Sequence, residues 1–327
     1  MARIIDISWE EELAMAEGRR LLIAGELVAI PTETVYGLAG DATDAEAIAR
    51  IYAAKNRPSF NPLICHMADL AMAERYAEFS PLARELADAF WPGPLTLVLP
   101  LKPDAGIATA ATAGLATVAV RVPRGFAGRL IAETGRPLAA PSANRSGRLS
   151  PTTAGHVDAD LGDRLQLIID AGPAIVGVES TILKVEGETI TLLRPGGIPA
   201  EAIERLTGLS VTRPATPGAI EAPGMMASHY APNAAVRLNV SHVEPGEALI
   251  MFGAPLIDNA AAAHVTLQLS KTADTAEAAS RLYDVMKQAD QSGASAIAVT
   301  PIPHDGIGEA INDRLARAAA PRPKDYD

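Results

Sequence analysis

The stretch "PLAAPSANRSGRLSPTTAGHVDADL", residues 137–161, decides the fold. "PLAA" is apolar and reads as a strand. "PSANRSGRLS" is polar and punctuated by Pro and Gly, so it reads as a loop. Ser150 and Pro151 suit the N-cap and first position of a helix over "PTTAGHVDADL". Strand, polar loop and helix in succession form the repeating unit of an α/β sheet. In open sheets of that kind ligands bind beyond the C-terminal ends of strands, which is where Ser142 and Asn144 fall. A helix N-terminus adds free N–H groups and positive potential, a place for phosphate or carboxylate. No acid occurs from Ala139 to Thr152, although the chain holds 39 Asp+Glu against 28 Lys+Arg. Two readings stay open for the loop: a solvated turn, or an anion site.

The same alternation runs outward in both directions. "ELVAIP" (26–31), "PLICHM" (62–67), "LTLVLPL" (95–101) and "ATVAVRVP" (116–123) read as strands, the last alternating cleanly and so half-buried. "RLQLIIDAG" (164–172), "STILKVEG" (180–187) and "TITLLRPG" (189–196) are three more. "TDAEAIARIYAAK" (43–55) reads as a helix with Thr43 as N-cap and Glu46 closing a capping box. "SPLARELADAF" (80–90) is a second helix, and "PAEAIERLTG" (199–208) a third, ended by Gly208. Residues 210–233 hold four prolines and no convincing period, so they read as a linker whose length calls for a function. From 234 the rhythm resumes with strands "AVRLNV", "EALIMFG", "VTLQLS" and "AIAVTPI". A helix over 275–291 carries one apolar stripe of Ala278, Ala279, Leu282, Val285, Met286 and Ala289. "GEAINDRLARAA" (308–319) is the last helix, and "PRPKDYD" a frayed end. The divisions are thus 1–209, a linker at 210–233, and a smaller α/β domain over 234–327.

Composition removes several classes of function. Of 327 residues, 48% are hydrophobic and 20% charged, the signature of a folded protein with a substantial core. The start "MARIIDISWEEEL" is acidic and lacks the apolar run of a signal peptide, and no stretch approaches the ~20 apolar residues of a membrane span. One cysteine excludes an intrachain disulfide, and the expected compartment is the cytoplasm. A net charge of -11 and 4% aromatics argue against stable nucleic-acid binding.

There is no Walker A sequence, no CxxC, no HExxH and no G-x-S-x-G. "GIGEAI" (306–311) has two glycines between strand and helix but lacks the third of a dinucleotide fingerprint, so a tight turn explains it. Cys65 and His66 are neighbours on a strand and point to opposite faces, which breaks a nucleophile–base pair; Cys65 belongs to the core. In "TVAVRV" the valines share one face and Arg121 lies on the other, in water, in an ion pair or in a ligand cavity. From Arg121 to Arg148 there are six arginines and one acid, Glu133, which suggests a focused positive cavity or a solvated face. "KNRPSFNPL" (55–63) places Lys55 and Arg57 after a helix, and "PTETVYGL" (31–38) supplies Thr32, Thr34 and Tyr36 after a strand.

In order and spacing, "PTETVYGL", "KNRPSFNPL", "WPGPLTLVL", "VAVRVP", "APSANRSGRLSPT", "GVESTI" and "LLRPGGI" resemble the YrdC/Sua5 family. "APGMMASHYAP" and "GIGEAINDRLARAA" are similar to the linker and C-terminal domain of its two-domain Sua5 branch. The resemblance implies a YrdC-like twisted open sheet with flanking helices over 1–209, a lid at 210–233, and a Rossmann-like α/β C-terminal domain. It implies threonylcarbamoyl-AMP synthesis from L-threonine, bicarbonate and ATP, with Mg2+ on the phosphates, no metal cage of protein side chains, and a product consumed in modifying adenosine 37 of tRNA by a threonylcarbamoyl transferase complex. By the same resemblance Thr32, His66, Arg121, Ser142 and Ser180 would hold L-threonine. Lys55, Arg57, Ser59, Thr117, Asn144, Ser150, Arg194, His229 and Tyr230 would surround ATP, Ser59 mostly through its backbone. Many relatives carry a basic residue where Met226 or Ala227 stands in this linker. Competing expectations are a carbamoyl-phosphate-dependent carbamoyltransferase, whose relatives carry cysteine-rich zinc motifs, and a double-stranded-RNA-binding module.

Overall fold

The computed structural model describes residues 2–214, 220–225 and 229–321. Its compact units are 1–146 with 151–175 and 179–225, and 147–150 with 176–178 and 226–327. The expected frayed end, apart from its first proline, lies outside the described residues, as do Met226 and Ala227.

The first unit opens with β1 (Arg3–Asp6), α1 (Ile7–Ile23), β2 (Val28–Ile30), β3 (Gly37–Asp41), α2 (Ala45–Lys55) and β4 (Ile64–His66). It continues through α3 (Leu70–Tyr76), α4 (Pro81–Phe90), β5 (Leu95–Pro100), β6 (Thr117–Arg121), α5 (Phe126–Thr134) and β7 (Leu138–Ala139). Then come α6 (Ala154–Leu161), β8 (Leu167–Asp170), β9 (Thr181–Glu186), β10 (Thr189–Arg194), α7 (Ala200–Thr207) and β11 (Val211–Thr212). The strands form one mixed sheet in the order β1-β8-β2-β3-β7-β4-β6-β5-β9-β10-β11. β11 pairs with β10, so the sheet takes the first residues of the segment expected to be linker.

Period-two alternation sorts the central strands into two faces. Cys65, Leu97, Val118, Val120 and Leu183 enter the main core with the helices. Ile64, Val98, Ala119, Ile182 and Leu193 form a separate apolar cluster. Alternation puts His66, Thr96 and Arg121 on the side of that second cluster, and Cys65 on the other. β6 was expected to be half-buried, yet Val118 through Arg121 are all buried. It lies between β4 and β5, and its second face is covered by the smaller cluster, to which Ala222 and Met225 of the linker contribute.

Two helix starts differ from expectation for identifiable reasons. The cap of α2 is Asp44, which accepts from Glu46 N–H at 2.8 Å. Thr43 is engaged one step earlier, its N–H and hydroxyl both donating to Asp41. Helix α6 starts after Thr153, not Ser150. The carbonyls of Pro151 and Thr152 accept from Tyr36 N–H at 2.9 Å and Ala174 N–H at 2.8 Å, so neither is free to open the helical ladder.

The second unit holds β12 (Ala235–Leu238), β13 (Ala248–Phe252), β14 (Val265–Ser270), α8 (Thr275–Gln291), β15 (Ala296–Val299) and α9 (Gly308–Ala319). Its sheet is parallel throughout, in the order β12-β15-β13-β14. All six residues of the α8 stripe are buried. Gly306 sits at φ +60° in the turn before α9, the tight-turn reading of "GIGEAI".

Candidate active site

Arg121 ends β6 on the sheet face that bears the smaller apolar cluster, and it is 3% exposed. Its guanidinium is held from three sides. Nη2 pairs with Glu33 at 2.8 Å, Nη1 donates to Thr34 Oγ1 at 3.0 Å, and Nε donates to the Gly93 carbonyl at 3.2 Å. Glu33 in turn accepts from the Arg124 N–H at 3.1 Å. Gly93 itself packs against the Phe90 carbonyl, which a Cβ at this position would meet at 2.3 Å. Of the sequence readings for Arg121, the ion pair is realised.

Two chain segments carry the network outward from Arg121. In the first, Thr32 and Thr34 hydroxyls meet at 2.9 Å, Tyr36 O accepts from Ala143 N–H at 2.8 Å, and Gly37 bridges Ser142. In the second, Pro94 O accepts from Thr181 N–H at 3.0 Å, and Thr96 Oγ1 meets Ser180 Oγ at 2.7 Å. Arg194 closes the far side, donating to the Ser180 carbonyl at 2.9 Å and to its hydroxyl at 3.2 Å. Gly196 lets the 195–198 turn lie on this loop: a Cβ there would come within 2.3 Å of Thr181 N and 2.4 Å of Glu179 O.

His66 pairs with Arg121 in the β4–β6 register and faces the same side. Burial first, then the Arg121 charge, lower its pKa to about 3, so the ring is neutral at pH 7. Cys65, on the opposite face, has its thiol pushed up to about 12 by burial and is inert.

Lys55 is 1% exposed and donates to the carbonyls of Ser142 and Asn144, each at 2.5 Å. The Lys55 carbonyl accepts from Ser146 N–H at 2.8 Å, so this residue shapes the loop after β7. Burial, reinforced by Arg57 and opposed by Asp160, sets its pKa well below that of a free lysine. Arg57 folds back on its own loop, donating to the carbonyls of Asn61 at 3.1 Å and Pro62 at 2.8 Å. Asn144 is fully buried. Ser59 is exposed, and Thr117 lies half-buried at the start of β6, ~13 Å along the strand from Arg121. Arg145 and Arg148 are exposed: Arg145 donates to the Asp160 carbonyl, and Arg148 bonds Asn233.

A family model described as telomere recombination, for Sua5, YciO and YrdC, matches residues 20–196. A second, described as threonylcarbamoyl-AMP synthase, C-terminal domain, matches residues 198–320. The chain belongs to the YrdC/Sua5 family. This Sua5-type chain is 41% identical over 324 residues to the threonylcarbamoyl-AMP synthase of Bacillus subtilis, covering 94% of this chain and 93% of that protein. It is 40% identical over 319 residues to the Pyrococcus abyssi enzyme of the same name, covering 91% and 92%. A crystal structure of Pyrococcus abyssi Sua5 complexed with L-threonine superposes with a TM-score of 0.86 at 36% identity, covering 97% of this chain and 98% of that one.

The linker meets the site face within the first unit. Ala222 and Met225 join the apolar cluster of β4, β5, β6, β9 and β10. Arg194 Nη1 donates to the Pro223 carbonyl at 3.3 Å, and Lys184 pairs with Glu221 at 2.7 Å. His229 and Tyr230 belong to the second unit, as does the buried Ser150. There Tyr230 packs edge-on with His229 at 4.1 Å, lies 5.8 Å from the Tyr283 ring, and has the Arg314 guanidinium 5.1 Å from its centroid. Sequence reasoning missed Glu33 and Thr96. The available signal for Thr96 was one hydroxyl within an otherwise apolar strand, on the face shared with Val98. Among the described residues no helix is long and apolar enough to cross a membrane.

Proposed function

We infer that this Sua5-family chain is a threonylcarbamoyl-AMP synthase working at the Arg121 face. The threonine amine adds to bicarbonate, giving a carbamate and water. A carbamate oxygen then attacks the α-phosphorus of ATP, the bond to the β-phosphate breaks, and pyrophosphate leaves. Two anions must be brought together, so the chemistry asks for fixed positive charge and N–H donors rather than a nucleophilic side chain. The observation that carries the reading is Arg121: a buried guanidinium held by Glu33, Thr34 and the Gly93 carbonyl, in a chain of net charge -11. In this reading Arg121 takes the threonine carboxylate, with Thr32, Ser142, Ser180 and neutral His66 around the amino acid.

Lys55, Arg57, Asn144 and Arg194 serve the triphosphate, joined by Ser59 and Thr117. Lys55 spends two of its three N–H donors on loop carbonyls, leaving the third for a phosphate oxygen. Mg2+ would come on the phosphates of ATP. The 220–225 segment on the site face supports a lid that keeps water from a hydrolysable mixed anhydride. We place the enzyme in the cytoplasm, handing its product to the tRNA threonylcarbamoyl transferase machinery.

The test is direct. The protein, ATP, Mg2+ and labelled bicarbonate are incubated with and without L-threonine. Threonine-dependent pyrophosphate and a labelled adenylate are expected; pyrophosphate release indifferent to threonine refutes the reading.

A further inference from the structure

The geometry points to Thr96 as a positioning residue that fixes the Ser180 hydroxyl as a hydrogen-bond donor toward the amino acid. The inference rests on the reading above that Ser180 touches L-threonine.

The argument is a count of protons. Thr96 and Ser180 are 0% and 1% exposed, and their hydroxyl oxygens lie 2.7 Å apart. Among the described residues Thr96 Oγ1 bonds Ser180 Oγ alone, and Ser180 Oγ is shared by Thr96 and Arg194. A guanidinium only donates, so Arg194 occupies one lone pair of Ser180 Oγ. Two hydroxyl protons remain. One lies between the two oxygens, and the other has no acceptor among the described residues. A buried donor without an acceptor is costly, so this site is built to receive an acceptor atom from a ligand.

Which hydroxyl offers the spare proton follows from position. Thr96 lies inside β5, with Thr96 opposite Ile182 in the register with β9. Ser180 lies in the loop just before β9, next to the strand-end groups around Arg121. If Ser180 donated to Thr96, the spare proton would sit on Thr96, inside the sheet. If Thr96 donates to Ser180, the lone pairs of Ser180 are filled by Thr96 and Arg194, and its own proton points out of the network. Ser180 is then a donor with no capacity to accept, which fits a carboxylate or hydroxyl oxygen and disfavours an ammonium group. Arg194, placed with ATP by family resemblance, thereby also bears on the amino-acid side of the site.

Thr96→Val removes the donor while keeping the branched shape, and Thr96→Ser restores it. Steady-state kinetics are measured for both substrates, with thermal unfolding alongside. Thr96→Val is expected to raise the threonine KM between about twofold and tenfold, the worth of one oriented hydrogen bond. The ATP KM should stay within about twofold, and Thr96→Ser should return the threonine KM to its starting value. An unchanged threonine KM in Thr96→Val overturns the inference. So does a parallel rise in both KM values, or failure of serine to rescue. Ser180→Ala separates the two levels. If it raises the threonine KM while Thr96→Val does not, Thr96 has no such role and the threonine reading stands. If Ser180→Ala leaves the threonine KM unchanged, both fall.

Discussion

Replacing Glu33 by Gln tests whether Arg121 is held by a buried ion pair. The side chains of Arg121 and Glu33 are 4% and 8% exposed, and their charged atoms are 2.8 Å apart. At an effective dielectric near 20 the attraction at that distance is about 6 kcal/mol before desolvation is subtracted. Breaking a buried pair from one side typically costs about 3–5 kcal/mol, because the surviving charge is left uncompensated. Glutamine keeps an acceptor oxygen, and Thr34 and Gly93 still hold the guanidinium. The expected cost is therefore at the low end, about 3 kcal/mol. Urea unfolding followed by tryptophan fluorescence reads this unit specifically, since both tryptophans, Trp9 and Trp91, lie within it. Arg121→Met should cost a similar amount, and the double variant clearly less than the sum, because it leaves no orphan charge. A loss under about 1 kcal/mol for Glu33→Gln, or strict additivity in the double variant, would refute the claim that the pair organises the site.

Two further outcomes follow from the same geometry. His66 is neutral in the fold down to about pH 3, whereas an unfolded histidine titrates near 6.5, so its contribution to stability is whole above 6.5 and is lost as pH falls toward 3, by up to about 1.4 kcal/mol per pH unit. His66→Asn should flatten acid unfolding over that window, and an unchanged acid profile counts against a buried neutral ring. Gly196→Ala places a Cβ against backbone atoms at 2.3–2.4 Å, so urea unfolding should show a loss of about 1–3 kcal/mol, and kinetics a raised threonine KM as the Ser180 loop shifts; wild-type behaviour on both counts would mean the turn is not packed as described.

What the sequence made legible follows the range of the interaction. Helix α8 and its stripe were readable because every cue lies within a few turns of chain. The two faces of β4 and β6 were readable because alternation is local, and so the separation of Cys65 from His66 was too. The start of α6 was misplaced by three residues because the deciding partners of Pro151 and Thr152 are Tyr36 and Ala174, and no local propensity reveals them. The buried second face of β6 escaped for the same reason: Ala222 and Met225 cover it from far along the chain.

The site follows this rule in a stricter form. Arg121 stood out because a lone arginine on an alternating strand needs an explanation nearby. Its partner Glu33 did not, because one acid in a loop 88 positions earlier looks like any solvated charge. Thr96 and Ser180 meet only because β5 and β9 are neighbours in a sheet whose order departs widely from chain order. Residue type therefore announces the groups that could meet a ligand, and topology alone names the groups that aim them. The substitutions that best test this site are accordingly at Glu33 and Thr96, two positions that the sequence alone left unremarked.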